Sequence, residues 1–146
     1  MNDTSIRLMK KAAAGYTCAQ ILVSLALEDR GETNAALVRA MAGLAHGCGT
    51  GQGSCGALTG AACVLALYAG KGRDGEEASE RLPSMLQELT DWFRETVGER
   101  HGGLSCEAVT GEDGPEASRQ KCGAIVIETY EKIVRILVAN GFDPAG

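Results

Sequence analysis

The sequence predicts an all-α fold, a single-domain helical bundle of about five helices over 1–146 with a glycine-rich loop before the central helix. Three observations lead there. Apolar residues recur three and four positions apart between capping residues and glycine stops. No segment alternates apolar and polar residues long enough to make a strand. Hydrophobic content is 45% with only 4% aromatic, so the interior has to be built from Ala, Leu, Val and Ile, which suits closely packed helices. At 146 residues one core suffices.

Taken in order, 3–14 has the pattern of a short amphipathic helix ended by Gly15. In "YTCAQILVSLALEDRG", Cys18, Ile21, Leu22 and Leu25 recur at helical spacing, Thr17 with Gln20 makes a capping box, and Gly31 supplies the stop. A helix over 33–44 takes Thr33 as N-cap and puts Leu37, Met41 and Leu44 on one face. The loop "GCGTGQGS" follows. Ser54 is expected to cap a helix over 55–69, whose small residues Gly56, Ala57, Gly60, Ala61 and Ala62 let another backbone approach closely. It reads as the central helix.

The segment "KGRDGEEAS" is a charged connection. Leu82, Met85, Leu86, Leu89 and Phe93 then mark a helix with Pro83 at its first turn or kinking it. A short capped turn, "LSCEAVTG", and the loop "EDGPEAS" lead to a last helix over 118–140. There Val126, Tyr130, Ile133, Val134 and Leu137 form an apolar stripe opposite Glu128, Glu131, Lys132 and Arg135.

Net charge of -5 argues against a surface that tracks phosphates, so nucleic acid is not expected as a partner. The first fifteen residues lack an apolar region before a cleavage-like site, and no apolar run reaches the roughly 18 residues of a membrane span, so the expected compartment is cytoplasmic. The glycine loop resembles a phosphate cradle only superficially. A helix pattern rather than a strand precedes it, and Lys71 lies beyond the following helix, so no nucleotide is expected.

Six cysteines are many for a reducing compartment, and they point to metal binding or redox chemistry rather than structural disulfides. Cys18 follows Thr17, Cys55 follows Ser54 and Cys106 follows Ser105, which places three thiols at the first helical position after an N-cap. The positive helix end there is expected to lower their pKa and favour the thiolate, which is both nucleophile and metal ligand. Cys122, near the start of the last helix beside Lys121 and Arg119, is expected to feel the same pull. Singly, Cys18 beside Ile21 and Leu22, or Cys122 beside Ile125 and Val126, is compatible with core packing. Four such placements favour a shared role.

Cys63 reads as a small buried hydrophobe. Cys48, seven residues before Cys55 across a flexible loop, is a candidate additional ligand. His46 reads as a solvent-facing histidine and His101 as part of a loop.

Cys18 in "CAQ", "CGALTG" from Cys55 to Gly60, Cys106 and Cys122 together resemble the C-GCAxxG-C-C family of redox-active proteins, with Ser54 where the family name has Gly. The resemblance covers nearly the whole chain. It implies a cytoplasmic prokaryotic redox protein, often encoded beside transporters, whose four cysteines are the functional set. Likeness of that family to the non-haem part of split-Soret cytochromes implies an iron–sulfur cluster. The chain has no Cys-x-x-Cys-His, so haem is not expected.

Three readings stay open. In the first, Cys18, Cys55, Cys106 and Cys122 bind an iron–sulfur cluster that exchanges electrons with a redox partner of unknown identity. In the second, the same four are metal-free redox thiols, with Cys55 attacking and another cysteine resolving the disulfide. In the third, the chain is a scaffold that pairs with itself or with a transporter through Gly56, Gly60 and Cys63. Four thiolates converging without a metal would repel one another, so convergence in the fold favours a cluster or a soft metal.

Overall fold

A computed structural model describes residues 2–111 and 115–146, with side chains undescribed at 115–117. Its described residues form helices and no strand, as the period of the apolar residues requires. The principal helices are α1 (Asp3–Ala13), α2 (Cys18–Asp29), α3 (Ala35–Met41), α4 (Gly56–Ala69), α5 (Leu82–Phe93), α6 (Cys106–Thr110) and α7 (Pro115–Ala139). None of these is long and apolar enough to cross a membrane, among the described residues.

The central helix is α4, packed by α2, α5 and α7. Its closeness to α2 follows from glycine. A Cβ on Gly60 would stand 2.9 Å from the Cα of Ala19, so only a residue without a side chain admits the neighbouring backbone. Leu22 and Leu25 of α2, Leu65 of α4, Phe93 of α5 and Ile133 of α7 are fully buried in one continuous core. Each such side chain contributes roughly 1.5–3 kcal/mol on leaving water. The starts of α2 and α4 lie side by side, and this shared end carries the site.

Several helix boundaries differ from the sequence reading. Asn34, not Thr33, caps α3: its Oδ1 accepts from the Leu37 N–H at 3.0 Å. That helix stops at Met41 and continues as a 3₁₀ turn, Ala42–Leu44. Pro83 sits in the first turn of α5 without breaking it, and α5 runs on through a π-helical turn, Arg94–Gly98. The last helix starts at Pro115, because a proline ring presets the first helical φ and the missing N–H costs nothing there. Cys122 therefore lies in its third turn, beyond the reach of the helix end, and not near the start. Of the expected loop "EDGPEAS", residues 112–114 lie outside the described residues and the remainder belongs to α7.

Candidate functional site

The glycine-rich stretch holds two helix starts together. Ser54 and Ser105 form an isolated antiparallel bridge. The Cys55 N–H donates to the Leu104 carbonyl at 2.7 Å, and the Cys106 N–H donates to the Gly53 carbonyl at 3.0 Å. The Glu107 N–H reaches the Gly51 carbonyl at 2.8 Å. Gly47 and Gly53 pack backbone on backbone: a Cβ on Gly47, whose φ is +62, would fall 2.7 Å from the Gly53 oxygen. The loop is thus more than a plain turn. It is the clamp that sets Cys55 beside Cys106.

This clamp corrects the expected capping of α4. Ser54 is spent on the bridge, and Cys55 itself is the N-cap residue. Ser105 does cap α6 as expected, its Oγ accepting from the Ala108 N–H at 3.0 Å. At α2, Thr17 is the N-cap and its N–H donates to Gln20 Oε1 at 3.0 Å, with Cys18 at the first helical position. The sulfur of Cys18 lies over the start of α4: a Cβ on Gly56 would be 2.5 Å from it. Gly56 is therefore a seat for that sulfur.

Cys18, Cys55, Cys106 and Cys122 line one cavity of about 400 Å³. The rest of its wall is mostly apolar, from Leu8 of α1, Ile21 of α2, Val109 of α6 and Val126 of α7. His46 and Arg119, both exposed, stand at its rim. All six cysteines are free thiols. Among the described residues, no three His, Cys, Asp or Glu side chains converge closely enough to hold a single metal ion.

The electrostatics reverse the expectation from helix ends. Burial pushes the Cys18 thiol up to about 12, helped by repulsion from Cys55, Cys122 and Cys106 and opposed by the Ala19 amide. Burial also raises Cys55, against the pull of the Ala57 and Leu58 amides, and a charge on Cys106 would raise it further. Cys106 is raised by burial as well. At Cys122, burial and repulsion from Cys55 and Cys106 outweigh the attraction of Lys121. Helix ends do act on Cys18 and Cys55, but loss of water outweighs them. At α6 the first three amides are already taken by Gly53, Gly51 and Ser105, so none is left for the Cys106 sulfur.

The two remaining cysteines fall elsewhere. Cys63 is exposed and not a buried hydrophobe. Cys48 is exposed, has a φ of +58 and does not line the cavity, so the fold does not bring it to the other four. Gly56 and Gly60 face α2 within the chain, which removes both from the small-residue face expected for self-association. The sequence reading missed the Ser54–Ser105 bridge and the seat at Gly56. A signal was present: Ser-Cys occurs twice, each time at the start of a helix.

Thiols gathered around an apolar cavity at the shared end of two helices define a cysteine-rich all-α protein. A family model described as "Putative redox-active protein (C_GCAxxG_C_C)" matches residues 16–136. The chain belongs to this redox-active family, as the resemblance implied. Neither the curated proteins nor the solved structures contain a significant match to it.

Proposed function

We propose that Cys18, Cys55, Cys106 and Cys122 hold an iron–sulfur cluster and that the protein transfers electrons. The observation that carries this reading is the lining of one cavity by these four thiols and by neither of the other two cysteines. The donor set is all sulfur, which suits soft metals, and the cavity has the size of a small-ligand site. Among the described residues the four thiols share this space without converging on a point. Bound there, a cluster supplies a reversible one-electron couple tuned by burial and by hydrogen bonds to sulfur.

What the chain itself does is hold protonated thiols ready in a largely apolar cavity. To ligate a metal, Cys18, Cys55, Cys106 and Cys122 would have to give up these protons, and the metal's positive charge would offset the repulsion among the thiolates. Metal-free exchange fits less well, because an attacking thiol works best with a pKa near ambient pH, and burial moves all four the other way. The amides of Ala57 and Leu58 favour charge on Cys55.

Anaerobic reconstitution with iron and sulfide tests the reading. The expected result is a brown protein with bound iron and sulfide, whose visible bands bleach on reduction. A colourless, iron-free product whose thiols titrate reversibly to a disulfide would overturn it in favour of thiol exchange.

A further inference from the structure

One wall of the thiol cavity is built unlike the others. Leu8 and Ala12 of α1, with Tyr16 just beyond it, close that side, yet Leu8 is the only buried residue of α1. Charge at the edge ties the helix down. Arg7 Nη1 lies 3.0 Å from Asp29 Oδ1 and 3.3 Å from Glu28 Oε1, and Lys11 Nζ lies 2.7 Å from Glu28 Oε2. The other walls, on α2, α4 and α7, each give several buried side chains to the core that Leu8 joins singly, and they cannot move without opening it.

The link from α1 to α2 lies at the surface, with no side chain packed on its glycine. Residues 14–16 are exposed, and Gly15 has a φ of +95 with nothing within 4 Å of the position a Cβ would occupy. The family match begins at residue 16, so α1 lies outside the matched segment. It lies across a cavity whose four cysteines all fall within the matched segment.

We propose that α1 is a lid over the thiol cavity, hinged at 14–16 and latched by Arg7 and Lys11 on Glu28 and Asp29. Electrostatics then govern the access of small solutes to Cys18, Cys55, Cys106 and Cys122. A helix held by one buried side chain and partly exposed ion pairs belongs to the least stable part of a fold, and salt weakens its latch. The inference concerns entry to the cavity and not what the thiols bind, so the test uses full-length, reduced, metal-free protein.

Pulse alkylation with iodoacetamide, read residue by residue by mass spectrometry, carries its own control, because Cys48 and Cys63 are already exposed. High salt, or Glu28→Gln at low salt, is expected to speed labelling of the four cavity thiols roughly threefold to tenfold relative to Cys48 and Cys63. Amide exchange in α1 should quicken in parallel while that in α4 does not. Glu28 is chosen because it is exposed, whereas Asp29 also accepts from the Tyr130 hydroxyl and its loss would disturb the core. Unchanged cavity labelling under both perturbations would overturn the lid. So would equal acceleration of α1 and α4 amides, which marks global opening.

Discussion

Cys55 and Cys63 stand on one helix, little more than two turns apart, and differ in everything that matters to chemistry. Cys55 caps α4, is buried and shares a cavity with three other thiols. Cys63 faces solvent from the middle of the same helix. The residue type and the helix are common to both, so the contrast isolates what the clamp contributes. A bridge between Ser54 and Ser105, made compact by Gly47 and Gly53, fixes the start of α4 against the start of α6. Eight residues on, no such partner exists among the described residues. A thiol's surroundings, and not its presence, decide its role here.

Serine substitution sharpens that contrast most. Replacing Cys18, Cys55, Cys106 or Cys122 singly is expected to lower iron retained after reconstitution by roughly tenfold or more, while Cys63→Ser leaves it unchanged. Iron and sulfide assays on the five variants decide it. Equal retention in Cys55→Ser and Cys63→Ser would break the comparison at its base.

The next effect is on the frame. In Gly60→Ala the new Cβ meets the Ala19 backbone at 2.9 Å, so α2 and α4 have to part, at a cost of about 1–3 kcal/mol. Gly123→Ala makes the control. Its Cβ has only Leu8 Cδ2 at 4.0 Å, an ordinary contact, and the gain in helix propensity is roughly 0.5–1 kcal/mol. Urea denaturation of both should therefore give shifts of opposite sign.

Burial also leaves a mark on pH dependence. The Cys18 thiol, ordinarily at 9.0, is raised to about 12. Below the ordinary value both folded and unfolded chains keep the proton, and the stability contribution is complete. Between the two values the unfolded chain releases a proton that the folded chain retains, so stability falls as pH rises. One group of this kind contributes up to about 1.4 kcal/mol per pH unit. In metal-free protein Cys18→Ala should flatten the alkaline side of the stability profile by that slope. No flattening would mean that Cys18 is not held in a desolvated place.

The helices and the four spaced thiols were legible because both are short-range properties. Periodicity in "CAQILVSLAL", the Thr17 and Ser105 caps and the proline in the first turn of α5 act over one or two turns, and the structure agrees with them. What could not be read depends on distant segments. Ser54 looks like a cap until Ser105 claims its backbone neighbours. Cys122 looks close to a helix start unless Pro115 extends the helix backward by a turn. The sign of the thiol shifts turns on burial, which helices far apart in sequence impose together, and it runs opposite to the local helix-end argument at Cys18 and Cys55.

The smallest effect probes the exposed thiol within the glycine-rich stretch. Cys48 is exposed and held at a φ of +58, where a side chain is strained and glycine is at ease. Cys48→Gly relieves that strain and adds entropy to the unfolded chain. The two terms oppose each other, and the net change is expected between zero and about 1 kcal/mol in favour of the variant. Bound iron after reconstitution should stay at the unmodified level, because this sulfur does not line the cavity. A drop in iron would enrol Cys48 as a fifth ligand and redraw the boundary between cavity thiols and surface thiols. Unaltered iron together with a slight rise in the denaturation midpoint would confine its role to the turn that carries it.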